Sequence, residues 1–411
     1  MIITLIGVIL LMSGSAFSQQ PATVRFLIQA AEASDLQPFV AAFNEKHPNI
    51  NLEIVTGPAN TNLVEDLYTS AFLLGDSPYD LVYMDIVWVQ KFAAAGWLSD
   101  LSQWVKTDQL QPYLESVLQG GSYQGKLYRI PFRADGGMLY YRTDLLKQIG
   151  ANPPETFEDL IQTSKTLQQQ NLAQWGYVWQ GKQYEGLSAM FVEILAGYGG
   201  FWINPDTQVV GLDESEAIQA VEFLRQTITE GISPEDVTTY SEEETRLLFQ
   251  SGQVAFLRNW PYVYSLASES QIAGQFAIKP MLHIPSLNSG ACLGGWGFGI
   301  SKSSPHPDAA WEVIKYFNQV DVQRDFFLKT GYVPARPALF TDSKLVAKYP
   351  YLPNLLTVIE NAVLRPPIPQ YAQASDILQR YLSAALTGRK TPEAAMKAAA
   401  EETRTLLGVQ S

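Results

Sequence analysis

The chain has 411 residues, 46% of them hydrophobic and 17% charged, enough to bury a large core and to split into about two domains. A formal net charge of -13 disfavours a nucleic-acid backbone or an anionic membrane surface as partner. Three histidines and one cysteine leave no internal disulfide and, in practice, no zinc-type cluster.

The chain opens MIITLIGVILLMSGSAFSQQP. Ile2 to Met12 is apolar but too short to span a bilayer, and it runs into small residues ending at Ser18. Residues 1–18 are therefore expected to be a signal peptide, although no Lys or Arg precedes the apolar run. With no cysteine at the cleavage point, the mature protein is expected to be periplasmic and not lipid-anchored. Cys292 is expected to be buried and unpaired.

Val24–Ile28 reads as a strand, and Leu36, Phe39, Val40 and Phe43 recur at helical spacing behind it. Asn51–Val55 alternates as a second strand, 63–74 is helical, and Tyr79–Met84 is a third, largely apolar strand. This alternation predicts a mostly parallel sheet flanked by helices, with ligands bound beyond the carboxyl ends of the strands. The segments to watch are then Ala30–Ala33, Thr56–Thr61 and Asp85–Trp88.

An extended stretch from Gly125 to Arg142 leads out of this lobe. Helices are expected over 157–169, 185–198, 214–230 and 241–251, strands at Val254–Leu257, 276–284 and 297–301, and mostly helix beyond Pro305. No long, flexible tether separates the parts, so two lobes sharing several crossings are expected.

No phosphate-cradling glycine loop and no nucleophile elbow are present. No cofactor is expected. What stands out is acids and aromatics at strand ends: Glu32, Asp85, Asp135 and Trp260, with Arg365 opening a Pro-rich loop. Trp296 sits in LGGWGFGI among Gly294, Gly295, Gly297 and Gly299. Ionised carboxylates and Arg suit hydroxyl edges, each charge-assisted bond contributing roughly 1.5–3 kcal/mol, and aromatic rings suit C–H faces.

Each residue also has a structural explanation. Glu32 can be a first-turn acid favoured by the helix dipole, Asp85 a helix cap, Asp135 a turn residue and Arg365 a solvated loop residue. Trp296 can be core, with the glycines favouring a ligand platform instead. Trp88 and Trp97 are expected to pack. Their joint placement carries the argument.

The chain resembles the extracellular solute-binding proteins of bacterial carbohydrate ABC importers, of the maltose/trehalose-binding type. The likeness runs from about Val24 to Leu407. It rests on Tyr79–Asp85 with Phe92–Leu98, on Gly137–Leu145 (GMLYYRTDL), on Gln183–Leu187 and Gly294–Gly297, and on Pro307–Glu312 followed by Gly331–Arg336. The resemblance implies a two-lobed α/β periplasmic-binding-protein fold with a hinged cleft. Residues 19–131 and 285–336 would form one lobe, and 132–284 and 337–411 the other. Crossings are expected near Ile130–Asp135, Lys279–Ile284 and Arg336–Phe340.

It further implies that Glu32 and Asp85 hold sugar hydroxyls, and that Trp260, Gly295, Trp296 and Arg365 match sugar contacts. Asp135 and Asn60 or Thr61 match less closely. The implied protein is a monomer that captures a small α-glucoside (trehalose, maltose, sucrose or glucosylglycerol) and delivers it to the membrane permease. Many relatives carry a lipid-anchoring cysteine after the signal, which this chain lacks. Two other readings stay open. One is a glycoside hydrolase, which needs two carboxyls about 5–9.5 Å apart. The other keeps the fold and binds a polyamine, a peptide or an oligosaccharide.

Overall fold

The computed structural model describes residues 20–75, 77–106 and 110–409. The expected signal peptide, residues 1–18, lies outside these.

The first lobe starts with β1 (Ala22–Gln29), α1 (Ala30–Lys46) and β2 (Ile50–Gly57), the two strands parallel and in register along their whole length. Helix α2 (Thr61–Leu74) follows, capped at one end by Asn60 and closed at the other by left-handed Gly75. It leads to β3 (Leu81–Asp85), in which every residue is buried.

Strands β1 and β3 lie side by side with a side chain set between them. The buried Tyr68 hydroxyl accepts from the backbone N–H of Leu27 (2.9 Å) and of Tyr83 (3.2 Å), and donates to the Leu27 carbonyl (2.7 Å). One oxygen thus satisfies three backbone groups that burial would otherwise leave orphaned.

Beyond β3, a 3₁₀ turn (Ile86–Trp88) and α3 (Val89–Ala94) fold back over the sheet. Trp88 is 1% exposed, and Trp97 stacks on Phe72, so both are packing groups as expected. Helix α4 (Glu115–Gln119), the hairpin β4 (Ser122–Tyr123) and β5 (Lys126–Leu127), then β6 (Ile130–Pro131) and β7 (Asp135–Gly136) carry the chain toward the second lobe.

That lobe comprises β8 (Met138–Arg142), α5 (Thr143–Ile149), α6 (Phe157–Gln169), β9 (Trp175–Val178), α7 (Glu185–Gly197) and α8 (Ser215–Thr229). It continues through α9 (Glu242–Gln250), β10 (Val254–Asn259), α10 (Val263–Ser268) and β11 (Phe276–Lys279). Its sheet has the order β11-β8-β10-β9. Strand β9 has no counterpart in the sequence reading. It is four residues long and contains Gly176, where a Cβ would lie 2.3 Å from the Ser164 side chain on α6.

The chain then returns. Strand β12 (Leu293–Gly294) pairs with β7, and β13 (Trp296–Ile300) inserts between β3 and β6, antiparallel to both. Helices α11 (Pro307–Phe317) and α12 (Val320–Thr330) cover the first lobe. After α13 (Pro337–Phe340), α14 (Ser343–Lys348) and α15 (Leu352–Glu360), helices α16 (Tyr371–Leu386) and α17 (Pro392–Leu407) pack on α7 and α8.

The two-lobed α/β architecture is the one expected. The strand pairing differs from the expectation of mostly parallel sheets, because β1–β2 and β9–β10 are the parallel ladders and the others run antiparallel. In the first lobe the cause is the return crossing, because β13 comes back from the second lobe and enters the sheet opposite to β3; in the second lobe β8 runs antiparallel to both of its neighbours.

Behind the cleft, Arg258 of β10 and Glu193 of α7 form a fully buried bidentate pair at 2.5 and 2.6 Å. The pair explains Gly137 in the GMLYYRTDL motif, since a Cβ there would fall 1.7 Å from Glu193 Oε1. Cys292 donates its backbone N–H to the same oxygen. Its thiol is buried and unpaired, and burial pushes its pKa up to about 12.

Candidate functional site

On the first lobe, β1 runs straight into α1, so Ala30–Ala33 is the first helical turn where a loop was expected. Glu32 lies in that turn and is 3% exposed. Its Oε1 accepts from Arg133 Nη2 at 2.9 Å and its Oε2 from the Tyr83 hydroxyl at 3.0 Å. Burial pushes this carboxyl up and Arg133 opposes it.

Asn60 Oδ1 caps α2 by accepting from the N–H groups of Asn62 and Leu63. Thr61 Oγ1 accepts from Gln29 Nε2 at 2.9 Å. At the end of β3, Asp85 does both things considered for it. Its Oδ1 caps the 3₁₀ turn through Val87 N–H (3.1 Å) and accepts from Arg365 Nη2 (3.0 Å).

Two arginines organise the floor. Arg133 reaches Glu32 and lies 3.8 Å from Asp135 Oδ2, with its guanidinium 4.2 Å from the Tyr332 ring centroid. Asp135 Oδ1 is buried with no hydrogen-bond partner, and burial raises the carboxyl to about 6 against the pull of Arg133. Arg365 is buried, where the sequence allowed a solvated loop residue, and it bridges Asp85 to Glu185 Oε1 at 2.7 Å. Burial works against its charge, but Asp85 together with Cys292, Tyr371 and Glu185 outweighs it, so the guanidinium pKa sits above its ordinary value.

The second lobe supplies rings and a helix end. Trp260 rests under the Arg258 guanidinium at 4.2 Å, and its Nε1 donates to Glu242 Oε1 at 3.3 Å. Tyr184 donates to Glu242 Oε2 at 2.5 Å and Tyr262 to Glu243 Oε1 at 2.9 Å, both acids lying in the first turn of α9. The helix dipole favours carboxylates there.

Trp296 is 6% exposed, stacked on Tyr83 at 5.1 Å and edge-on to Trp88 at 5.2 Å. It is core and cavity wall together. The glycines around it have another cause than presenting the ring. A Cβ at Gly297 would fall 2.4 Å from the Ile130 carbonyl, and one at Gly295 (φ +140°) would fall 2.6 Å from that of Arg133. They let β13 lie against the crossing strand.

All nine residues expected at the site, namely Glu32, Asn60, Thr61, Asp85, Asp135, Trp260, Gly295, Trp296 and Arg365, line one cavity of about 370 Å³. That is within the usual range for small-ligand sites. Sequence reasoning missed Gln29, Arg133, Lys182, Tyr184, Glu185, Glu242, Tyr262 and Tyr332, which line the same cavity. Arg133, Tyr184, Glu185 and Tyr332 stand inside segments already singled out, so their neighbourhood was visible and their role was not. Among the described residues the lining holds seven carboxylates against three cations, which disfavours an anionic ligand. It suits one that presents hydroxyls to charged acceptors and an apolar face to indole rings.

A buried cleft lined from both lobes defines a two-lobed ligand-binding protein. Residues 29–324 match the family described as bacterial extracellular solute-binding protein, and the chain belongs to that family, whose members capture solutes and are not enzymes. Its likeness is to the maltose-type binding proteins of ABC importers. Maltose-bound T. maritima MalE3 superposes with a TM-score of 0.89 at 34% identity, covering 94% of this chain and 100% of that one. A probable ABC transporter-binding protein of Deinococcus radiodurans is 31% identical over 356 residues, 84% of each chain. A mannitol-binding protein of Pseudomonas aeruginosa is 26% identical over 394 residues, 90% of this chain and 89% of its own.

Proposed function

We propose that this chain is the periplasmic, monomeric sugar-capturing component of an ABC importer. Its ligand is a small α-glucoside: trehalose, maltose, sucrose or glucosylglycerol. The observation that carries this reading is a cavity in which arginine-paired carboxylates face two indole rings. Asp135 Oδ1, buried and unpartnered, is the acceptor that a ligand hydroxyl would satisfy. The lobes would close over the sugar by bending near Ile130–Asp135, Lys279–Ile284 and Arg336–Phe340, and the permease would read the closed form.

The maltose-bound relative favours a disaccharide, and the mannitol-binding relative favours an open-chain polyol as the second reading. Titration of the mature protein with trehalose, maltose, sucrose, glucosylglycerol, mannitol and spermidine, followed by tryptophan fluorescence, separates them. A saturable change with one intact disaccharide is expected. A response to mannitol alone would favour the polyol, and one to spermidine alone would move the ligand to the polyamines. Release of free glucose would overturn the binding-protein reading.

A further inference from the structure

Glu185 is tied to the first lobe in two ways, indirectly through its side chain by way of Arg365 and directly through its backbone N–H. Its side chain receives Arg365, which also grips Asp85 at the end of β3, and is steadied by the Tyr371 and Ser375 hydroxyls of α16. Its backbone N–H, the first of α7, donates to Asn62 Oδ1 at 3.2 Å. Asn62 is the second residue of α2, on the first lobe.

Helix α7 has no side-chain cap of its own, because Tyr184 at its N-cap position supplies none. The first N–H groups of a helix lack internal partners, so a side-chain acceptor placed there stabilises the arrangement that contains it. Asn60 already caps α2 from within the same lobe. Asn62 is therefore free to cap a helix across the cleft, and it does so from outside the cavity lining.

We propose that Asn62 is a closure latch, a positioning residue that never touches the ligand and holds the lobes together by capping α7 in trans. The proposal rests on the reading above, that a sugar is enclosed between the lobes. The bond exists only when the lobes are together, so its loss acts on escape of the ligand and leaves the encounter unchanged.

The test is stopped-flow tryptophan fluorescence on the full-length mature protein with maltose, with trehalose, sucrose and mannitol run alongside. Asn62→Ala is expected to raise the dissociation rate about threefold to tenfold, the range for loss of one helix cap. The association rate and the melting temperature without sugar should stay at wild-type values. Asn62→Asp keeps an acceptor oxygen and should restore most of the wild-type dissociation rate. An unchanged dissociation rate in Asn62→Ala, an equally fast one in Asn62→Asp, or a matching loss of ligand-free stability would overturn the latch. If wild type responds to none of the four sugars, the functional reading fails and the latch fails with it.

Discussion

The first-lobe wall of the cleft is charged and its acids are fixed by buried guanidinium pairing, whereas the second-lobe wall carries Tyr184, Trp260 and Tyr262, whose ring hydroxyls and indole N–H reach the acids that open α9. Glu32 and Asp85 each meet a buried arginine within 3.0 Å, while Glu242 is held by Tyr184 and Trp260, and the more exposed Glu243 by Tyr262 and by Arg246 one turn along its own helix. Charge-assisted pairs in a buried floor are rigid, and removing one partner leaves the other uncompensated. Hydroxyl contacts at a helix end are weaker singly and easier to exchange. The charged wall should therefore set whether anything binds, and the aromatic wall which ligand is preferred.

The comparison breaks most sharply at Arg365. Arg365→Met leaves Asp85 and Glu185 buried without their common cation and should cost about 3–5 kcal/mol of stability, read by chemical denaturation. Unchanged stability would mean that the pair is already solvated, and the contrast between the walls would collapse. Trp296→Ala should cost about 2–4 kcal/mol of sugar binding by titration calorimetry. Because the ring is buried against Tyr83 and Trp88, the ligand-free protein should lose stability as well. Loss of binding with an untouched ligand-free melt would mark the ring as a ligand face alone.

Asp135 sharpens the comparison through pH. Its carboxyl is raised from 3.8 to about 6 in the fold, so the folded state prefers it protonated. Ligand-free stability should fall as pH rises from about 4 to about 6, by at most roughly 3 kcal/mol for a displacement of that size. Asp135→Asn should lose that slope, be the more stable protein above pH 6, and bind sugar more weakly. A slope that persists in the variant would assign it to another group. The smallest effect belongs to the aromatic wall: Tyr184→Phe removes the bond to Glu242 and should cost roughly 1 kcal/mol of affinity. The loss should be unequal among maltose, trehalose and sucrose; a uniform loss would deny that wall its part in selection.

The same contrast governs what the sequence discloses. Acids immediately after buried strands are visible as a pattern, which is why Glu32 and Asp85 stand out from position, whereas Asp135 stands out only by its place near the expected crossing. Arg133 and Tyr332 are brought together from two segments far apart in the chain, and nothing local in either announces the other. Glu185 opens a helix after a tyrosine with no capping side chain, so its site role depends on Arg365, 180 positions away. The glycines around Trp296 were read for the ring they flank, yet they answer to the carbonyls of Ile130 and Arg133 on the neighbouring strand. Strand direction departs from the mostly parallel expectation for a similar reason, since β13 returns from the second lobe antiparallel to β3 and β6.

Cys292 has a chemical consequence of its own. A thiol must ionise to attack an electrophile, and this one is enclosed, with its pKa pushed up to about 12 beside Glu193 and Arg365. At neutral pH the native chain is therefore silent toward maleimides. A single cysteine introduced on the surface of either lobe becomes an addressable handle for a dye or spin label, with the native thiol left in place.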